Sequence, residues 1–276
     1  MRTRSNFDSR LPDLEEHHET DRQFITALAR GLEVIRCFQP GEGMLGNQEI
    51  VDRTGLPKAT VSRLTYTLSA LGYLEFLPRW GKYQLGAPVL SLGYAFLNNF
   101  GLRSIAKPHM QELADRYNCA VGLGARDRLS VLYVDLCRGP GTLTLRLDVG
   151  SRLPIPRSTT GFAFAAGLPG QEREALERAI EARHPELWPA ARAGIADART
   201  QFEKNGFVVG QGVFEKTINV VAAPYVAPDG VSVFVFNITG PSFELTPKVL
   251  KADAGPRLLA MMQNVTADWM RRGASN

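Results

Sequence analysis

The chain has 276 residues, of which 44% are hydrophobic and 22% charged, and its formal net charge is +4. This composition is typical of a globular protein long enough for two domains, and its mild basicity permits nucleic-acid contact without demonstrating it. The three cysteines form no CxxC pair, the four histidines lack metal-ligand spacing, and no apolar run approaches the ~20 residues of a membrane helix. These features argue against a disulfide-rich secreted protein, a metalloprotein and a membrane protein.

The chain opens with a polar segment over residues 1–22 that lacks the apolar core of a signal peptide. We expect a disordered tail there, on a cytoplasmic protein. Over residues 21–38 apolar side chains recur at helical spacing, which predicts a helix with one apolar stripe. The stripe consists of Phe24, Leu28, Leu32, Ile35 and Phe38.

Two shorter helices and a hairpin follow. One helix is predicted over residues 47–55 with Asn47 as its candidate cap, and the next begins at Pro57. Its apolar stripe consists of Val61, Leu64, Leu68 and Leu71. Residues 73–86 favour two short strands around a turn. This order of helices, tight turn and hairpin is that of a winged helix-turn-helix, which we assign to residues 23–86.

The helix after Pro57 is the candidate recognition helix, and the hairpin is the candidate wing. Basic and hydroxyl side chains donate to phosphates, and an arginine can bond the O6 and N7 atoms of guanine together. The candidate DNA contacts on the helix are Lys58, Ala59, Thr60, Ser62, Arg63 and Tyr66. In the wing, Arg79 and Lys82 are predicted to contact backbone phosphate, while Trp80 equally suits packing on the hairpin. A solvated helix face is the alternative, and the flanking helix and wing favour DNA contact.

The pattern changes after the hairpin. An apolar helix over 88–100 is assigned to a linker spanning 87–102, and residues 103–272 show an α+β pattern. Strands are predicted over 119–125, 129–137, 141–149, 207–211, 218–226 and 231–239. Helices are predicted over 104–117, just after Ser158, twice within 170–205, and around Leu258, Met261, Met262, Val265 and Trp269. Helices that are grouped, not strictly alternating with strands, favour an antiparallel or mixed sheet.

The segment RSTTG is a candidate anion site. Unpaired amides at a helix start and the helix dipole favour negative charge, and hydroxyl groups add donors. The residues concerned are Arg157, Ser158, Thr159, Thr160 and Gly161. An ordinary serine cap is the alternative. Because Phe162 and Phe164 follow as core or pocket wall, we predict a small organic acid as ligand, an aromatic acid ahead of a short aliphatic one.

Enzyme motifs are missing from the sequence. It contains no GxSxG, no phosphate-binding loop and no HExxH, and the glycines of GLGARD lie between strands, in the wrong context for a dinucleotide site. We therefore predict no catalytic residues, no metal and no cofactor.

Several segments, in their order and spacing, resemble the isocitrate-lyase-regulator (IclR) family of bacterial transcription factors. They are ALARGLEVIRCF, TGLPKATVSRLTYTLSALGYL, GKYQLGAPVLSLG, DVGSRLPIPRSTTGFAFAA, NGFVVGQGVFEKTINVVAAPYVAPDG and FNITGP, and together they span about residues 24–270. The resemblance implies a winged helix-turn-helix, a linker helix and a GAF-like α+β effector-binding domain. It also implies a dimer or a dimer of dimers, and a response to small organic acids.

Carried over by position, the resemblance implies an effector cavity lined by residues 157–161 and by the strands around 218–220 and 237–239. At five positions this chain departs from residues common in the family. Pro156 stands where histidine is common, Phe162 where lysine is common and Val220 where cysteine is frequent, and Asn237 and Thr239 replace two frequent serines. These departures affect which ligand is expected and leave the expected fold unchanged.

We therefore predict a regulator that binds a double-stranded DNA operator as a homo-oligomer and responds to a small organic acid. The alternative is a stand-alone metabolite-binding or enzymatic α+β domain whose helical appendage serves only for oligomerisation.

Overall fold

The computed structural model describes residues 23–140 and 147–273. The described residues divide into two compact units, one ending at Asn99 and the other beginning at Phe100. The tail expected over residues 1–22 lies outside the described residues.

Three helices and a small sheet form the first unit. The helices are α1 (Thr26–Arg36), α2 (Asn47–Thr54) and α3 (Lys58–Ala70), and the strands are β1 (Leu45–Gly46), β2 (Leu74–Leu77) and β3 (Lys82–Leu85). The strands pair antiparallel in the order β1-β3-β2, so the predicted hairpin gains a third strand that the sequence pattern did not indicate. A last helix, α4 (Pro88–Asn99), completes the unit.

The core of this unit lies among α1, α2, α3 and the hairpin. Its buried residues are Val34, Phe38, Leu45, Ile50, Val61, Leu68 and Leu74. The stripe predicted on α1 is buried only in part, since Phe38 is buried whereas Leu28 and Leu32 are 61% and 51% exposed, and Val34, outside that stripe, is fully buried. The prediction of Asn47 as the cap of α2 was wrong. Gly46 is the N-cap residue, and its amide donates to Glu49 Oε2 at 2.7 Å.

The second unit is built on a six-stranded antiparallel sheet in the order β6-β5-β4-β9-β8-β7. The strands are β4 (Ala120–Asp127), β5 (Ser130–Arg138), β6 (Arg152–Pro154), β7 (Val208–Gln211), β8 (Ile218–Val226) and β9 (Val233–Pro241). Most of the predicted strands are thus confirmed. The strand predicted over 141–149 falls largely outside the described residues, and its described part, 147–149, forms no strand.

Helices cover both faces of this sheet. One face packs against α5 (Gly101–Tyr117) and α10 (Gly255–Gly273), whose core residues include Met110, Leu258 and Val265. The other face packs against α6 (Thr159–Ala166), α7 (Gly170–Arg183) and α8 (Trp188–Asn205). A 3₁₀ turn (Ile155–Arg157) precedes α6, and a short helix α9 (Pro247–Val249) passes through a π-helical turn (Leu250–Ala254) into α10. The predicted mixture of helices and antiparallel strands is confirmed.

Candidate functional site

The exposed face of α3 carries most of the predicted DNA contacts. The buried side of the helix is formed by Val61, Thr65 and Leu68. Since a helix turns once every 3.6 residues, the residues between these positions point outward. The side chains on the outward face are Lys58, Ala59, Ser62, Arg63 and Tyr66, all exposed, with Thr60 half-buried at its edge.

Gly55 and Pro57 set the entry into this helix. Gly55 ends α2 in the left-handed conformation, with φ of 71°, a region that glycine enters without steric cost. Pro57 precedes Lys58 with a φ of −58°, the value that its ring imposes. The tight turn between α2 and α3 therefore has a local origin in the sequence.

The wing has an exposed turn and a lysine that is paired with a carboxylate. Arg79 and Trp80 lie at its exposed turn, with the Arg79 guanidinium 5.5 Å from the centre of the Trp80 ring. Trp80 is 54% exposed. Lys82 Nζ lies 2.9 Å from Glu49 Oε2 on α2. The amide of Gly46, followed by Lys82, holds the pKa of Glu49 below its usual value, so the carboxylate stays charged beside the wing.

The second unit contains a small cavity beneath the start of α6. It has a volume of about 20 Å³, which is room for one water molecule. Its lining combines hydroxyl groups with apolar walls and one carboxylate. The lining residues are Tyr133, Leu147, Leu153, Ser158, Thr159, Thr160, Val213, Phe214, Glu215, Ile218, Val220 and Thr239.

Glycines let the elements around the cavity approach one another. A Cβ atom on Gly161 would overlap the backbone of Ile155, and one on Gly210 would overlap the hydroxyl of Thr159. A Cβ on Gly122 would overlap the ring of Tyr133. These close approaches bring α6 down onto the sheet and bring its first hydroxyls to the cavity.

Five of the predicted effector residues line the cavity: Ser158, Thr159, Thr160, Val220 and Thr239. Ser158 serves as the cap of α6, since its hydroxyl accepts from the Gly161 amide at 3.1 Å and donates to the Pro154 carbonyl at 2.7 Å. Asn237 is buried and lies behind the lining. Arg157 is not part of the lining, and its guanidinium lies 5.4 Å from the centre of the Phe214 ring.

The aromatic wall differs from the one predicted. Phe164 is buried in the core between the sheet and α7 and α8, and Phe162 packs partly buried against the same core. Neither lines the cavity, whose aromatic residues are Tyr133 and Phe214. Sequence reasoning missed Tyr133 because it lies on β5, far along the chain from RSTTG. A buried strand position gives no local sign of function.

No cluster of potential metal ligands occurs among the described residues. Within the same residues, no helix is both long and apolar enough to cross a membrane.

Models of two protein families match the chain in sequence order. The IclR helix-turn-helix domain matches residues 27–78, and the bacterial transcriptional regulator IclR C-terminal domain matches residues 94–260. The chain belongs to the IclR family.

Similarity to individual IclR-family proteins extends over nearly the whole chain. The HTH-type transcriptional regulator TsaQ1/TsaQ2 of Comamonas testosteroni is 37% identical over 92% of each chain. A crystal structure of an IclR family transcriptional regulator from Brucella abortus shares 48% identity and a TM-score of 0.83, covering 90% of this chain and 94% of that one. The predicted family and fold class are confirmed, and the chain is a DNA-binding transcriptional regulator with an effector domain.

A second solved structure of similar fold is a complex with a ligand. An IclR homolog from Microbacterium hydrocarbonoxydans, complexed with 4-hydroxybenzoate, shares 20% identity and a TM-score of 0.63, covering 88% of this chain and 98% of that one. At this identity the likeness shows the fold alone.

Proposed function

We propose that this regulator binds a two-fold DNA operator through α3 and the wing, and that a small organic acid in the cavity beneath α6 controls that binding. The proposed domains are a DNA-binding domain over 23–86, a linker over 87–102 and an effector domain over 103–272. The regulator acts in the cytoplasm, where the operator DNA is.

The observation that carries the DNA half of the proposal is the exposed face of α3. Lys58, Ser62 and Arg63 share this face and are exposed among the residues that the structure describes, so they can enter a major groove. Arg79 is exposed at the wing turn, and an arginine there can donate to a backbone phosphate. The alternative function, an α+β domain with an oligomerisation appendage, does not require such a face.

A second copy of the chain is required for specificity. One recognition helix reads only a few base pairs, so specific binding needs two such helices in half-sites about one helical turn, or a multiple of it, apart. Apolar side chains on α1 and α4 are exposed in the single chain, including Leu28, Leu32, Leu90 and Leu92. Exposed apolar patches of this kind mark interfaces. We propose that these side chains form the contact of a homodimer, and that the same contact is kept in a dimer of dimers.

The effector half of the proposal rests on the donors at the start of α6. The first amides of a helix have no partner within it, and they favour an anion such as a carboxylate. Apolar walls beside them, including Phe214 and Val220, suit an organic body. Because the cavity holds about one water molecule, the β7–β8 loop over residues 212–217 must move outward to admit an acid.

Gel-shift titration with the DNA upstream of the protein's own gene tests the proposal. The parent should shift this DNA at lower concentration than a scrambled fragment of equal length. Arg63→Ala should weaken specific binding by about 1–3 kcal/mol if Arg63 reads a base. If the parent and Arg63→Ala bind the upstream fragment and the scrambled fragment with the same affinity, α3 does not recognise the DNA sequence.

A further inference from the structure

A buried amide stands directly behind the cavity wall. Asn237 is 1% exposed, and its Nδ2 atom donates to the Tyr133 hydroxyl at 3.0 Å and to Thr239 Oγ1 at 2.7 Å. Tyr133 and Thr239 both line the cavity. One side chain therefore holds two cavity-facing hydroxyl groups at once.

The direction of these bonds determines where the hydroxyl hydrogens point. An amide NH₂ group only donates, so the oxygens of Tyr133 and Thr239 both act as acceptors toward Asn237. The Thr160 side chain also hydrogen-bonds to the Tyr133 oxygen. Each hydroxyl keeps its own hydrogen, and that hydrogen cannot be directed at the NH₂ group. Both residues line the cavity, so a ligand there can accept these hydrogens.

The phenol of Tyr133 stays protonated at physiological pH. Burial raises its pKa to about 12, against the opposing effect of its hydrogen bonds with Asn237 and Thr160. Tyr133 therefore remains a neutral donor over the whole range in which a carboxylic acid is ionised.

Holding the amide in this orientation has a cost. The Oδ1 atom of Asn237 is buried and has no hydrogen-bond partner among the described residues. It faces Gly122, where a Cβ atom would lie 2.5 Å away, so the missing side chain at Gly122 makes room for it. A buried unsatisfied oxygen is unfavourable, and such groups are rare enough in native proteins to require an explanation.

The described lining of the cavity contains one charged residue, the carboxylate Glu215, and no basic side chain. Arg157 lies over the Phe214 ring instead. A carboxylate inside the cavity must therefore be bound by neutral donors.

This inference rests on the proposed effector site. We propose that the Tyr133 hydroxyl, together with that of Thr239, donates to the effector carboxylate. Asn237 is then the positioning residue that directs both hydrogens into the cavity. The site is selective for an acceptor-only group such as a carboxylate. It disfavours the primary amide of the same acid, because an amide has one acceptor oxygen where the carboxylate has two, and its NH₂ group cannot accept from the second hydroxyl.

Calorimetric titration of the full chain with benzoate and with its neutral analogue benzamide tests this. The parent should bind benzoate more tightly than benzamide. Tyr133→Phe removes the donor and keeps the ring, and it should weaken benzoate binding about tenfold or more. Tyr225→Phe is the matched control, because it removes a buried hydroxyl that bonds Thr266 and lies outside the cavity lining, and it should stay within about twofold of the parent.

Asn237→Leu tests the positioning role without adding a charge. It keeps the size of the side chain and removes the amide that donates to both hydroxyls, so their hydrogens are no longer kept toward the cavity. The preference for benzoate over benzamide should be lost. A variant that only loosens the fold would weaken both ligands alike and leave their ratio unchanged, which would overturn the positioning role.

The outcomes separate this inference from the proposed function. If Arg157→Ala abolishes benzoate binding while Tyr133→Phe binds like the parent, the inference is wrong and the carboxylate effector stands. If the parent binds neither benzoate nor acetate, the carboxylate effector and the inference both fail. Circular dichroism and thermal unfolding of each variant, compared with the parent, confirm that the substituted unit is folded.

Discussion

At the scale of single residues, Lys82 has two possible anionic partners. In the free protein its ammonium group lies 2.9 Å from Glu49, whereas the proposed function gives it a DNA phosphate. Glu49→Gln keeps an oxygen for the Gly46 amide and removes the competing charge. We predict that it raises affinity for any DNA sequence, while Lys82→Ala lowers affinity for all sequences and reduces the slope of log K against log salt by about one. Fluorescence anisotropy over a salt series measures the affinities and the salt slopes of the parent and of each variant.

Gln84→Ala is the control for this pair, since Gln84 bonds Glu75 on the same hairpin and should leave the salt slope unchanged. If Lys82→Ala and the parent share one salt slope, Lys82 belongs to the fold of the wing and does not contact phosphate.

At the scale of elements, a buried ion pair ties α5 to β5. The pairing of β4 with β5 shifts between Leu123 and Gly124, so that Leu123 faces Asp135 and Gly124 faces Tyr133, with Val134 as the extra residue. This bulge turns the Asp135 carboxylate toward Arg103 on α5, with Nε and Oδ2 3.2 Å apart and Asp135 only 3% exposed. We predict that Arg103→Met lowers the unfolding free energy by about 3 kcal/mol, because a buried carboxylate loses its partner. Urea unfolding monitored by circular dichroism measures the loss.

The double variant Arg103→Met with Asp135→Leu is the control. Replacing both charges with apolar groups should recover most of the stability, because no unpaired charge remains buried. A double variant that is less stable than Arg103→Met alone would show that the bulge depends on the Asp135 carboxylate itself, which also accepts from the Leu136 amide at 2.9 Å.

At the scale of the whole molecule, assembly determines whether the regulator reads DNA. The DNA-binding unit carries an apolar groove of about 680 Å³, lined by Leu28, Leu32 and Leu71 among others, and α4 exposes Leu90 by 74% and Tyr94 by 62%. We predict that the parent is at least a dimer at micromolar concentration. The double variant Leu32→Glu with Leu90→Glu should be monomeric and lose specific DNA binding. Light scattering coupled to gel filtration, followed by gel shifts, measures both.

Phe243→Glu is the control for this prediction, because Phe243 is a single exposed side chain, 78% accessible, in the other unit. It should leave both the mass and the DNA affinity unchanged. A parent that is monomeric in solution and still binds one operator specifically would contradict the two-fold arrangement.

Much of the fold and part of the candidate site could be predicted from local sequence. Ser158 was recognisable as the cap of α6 because a cap is a contact between residues three apart, and it accepts from Gly161 as expected. The stripe of the last helix was correct for the same reason, with Leu258, Met261 and Val265 buried. Periodicity and capping depend on neighbours along the chain, and a single sequence contains that information.

The tertiary structure decided which of two apolar faces a helix buries and which distant side chains meet. Helix α1 has apolar residues on more than one side, and only its packing on α2 and α3 determines that Val34 is covered and Leu32 is not. The meeting of Tyr133 with Asn237, 104 positions apart, depends on the antiparallel pairing of β4 with both β5 and β9. By itself the sequence determined the order and type of most elements, the cap of α6 and the family. The cavity and its donors depended on strand register and close packing, which are set by contacts between residues far apart in the chain.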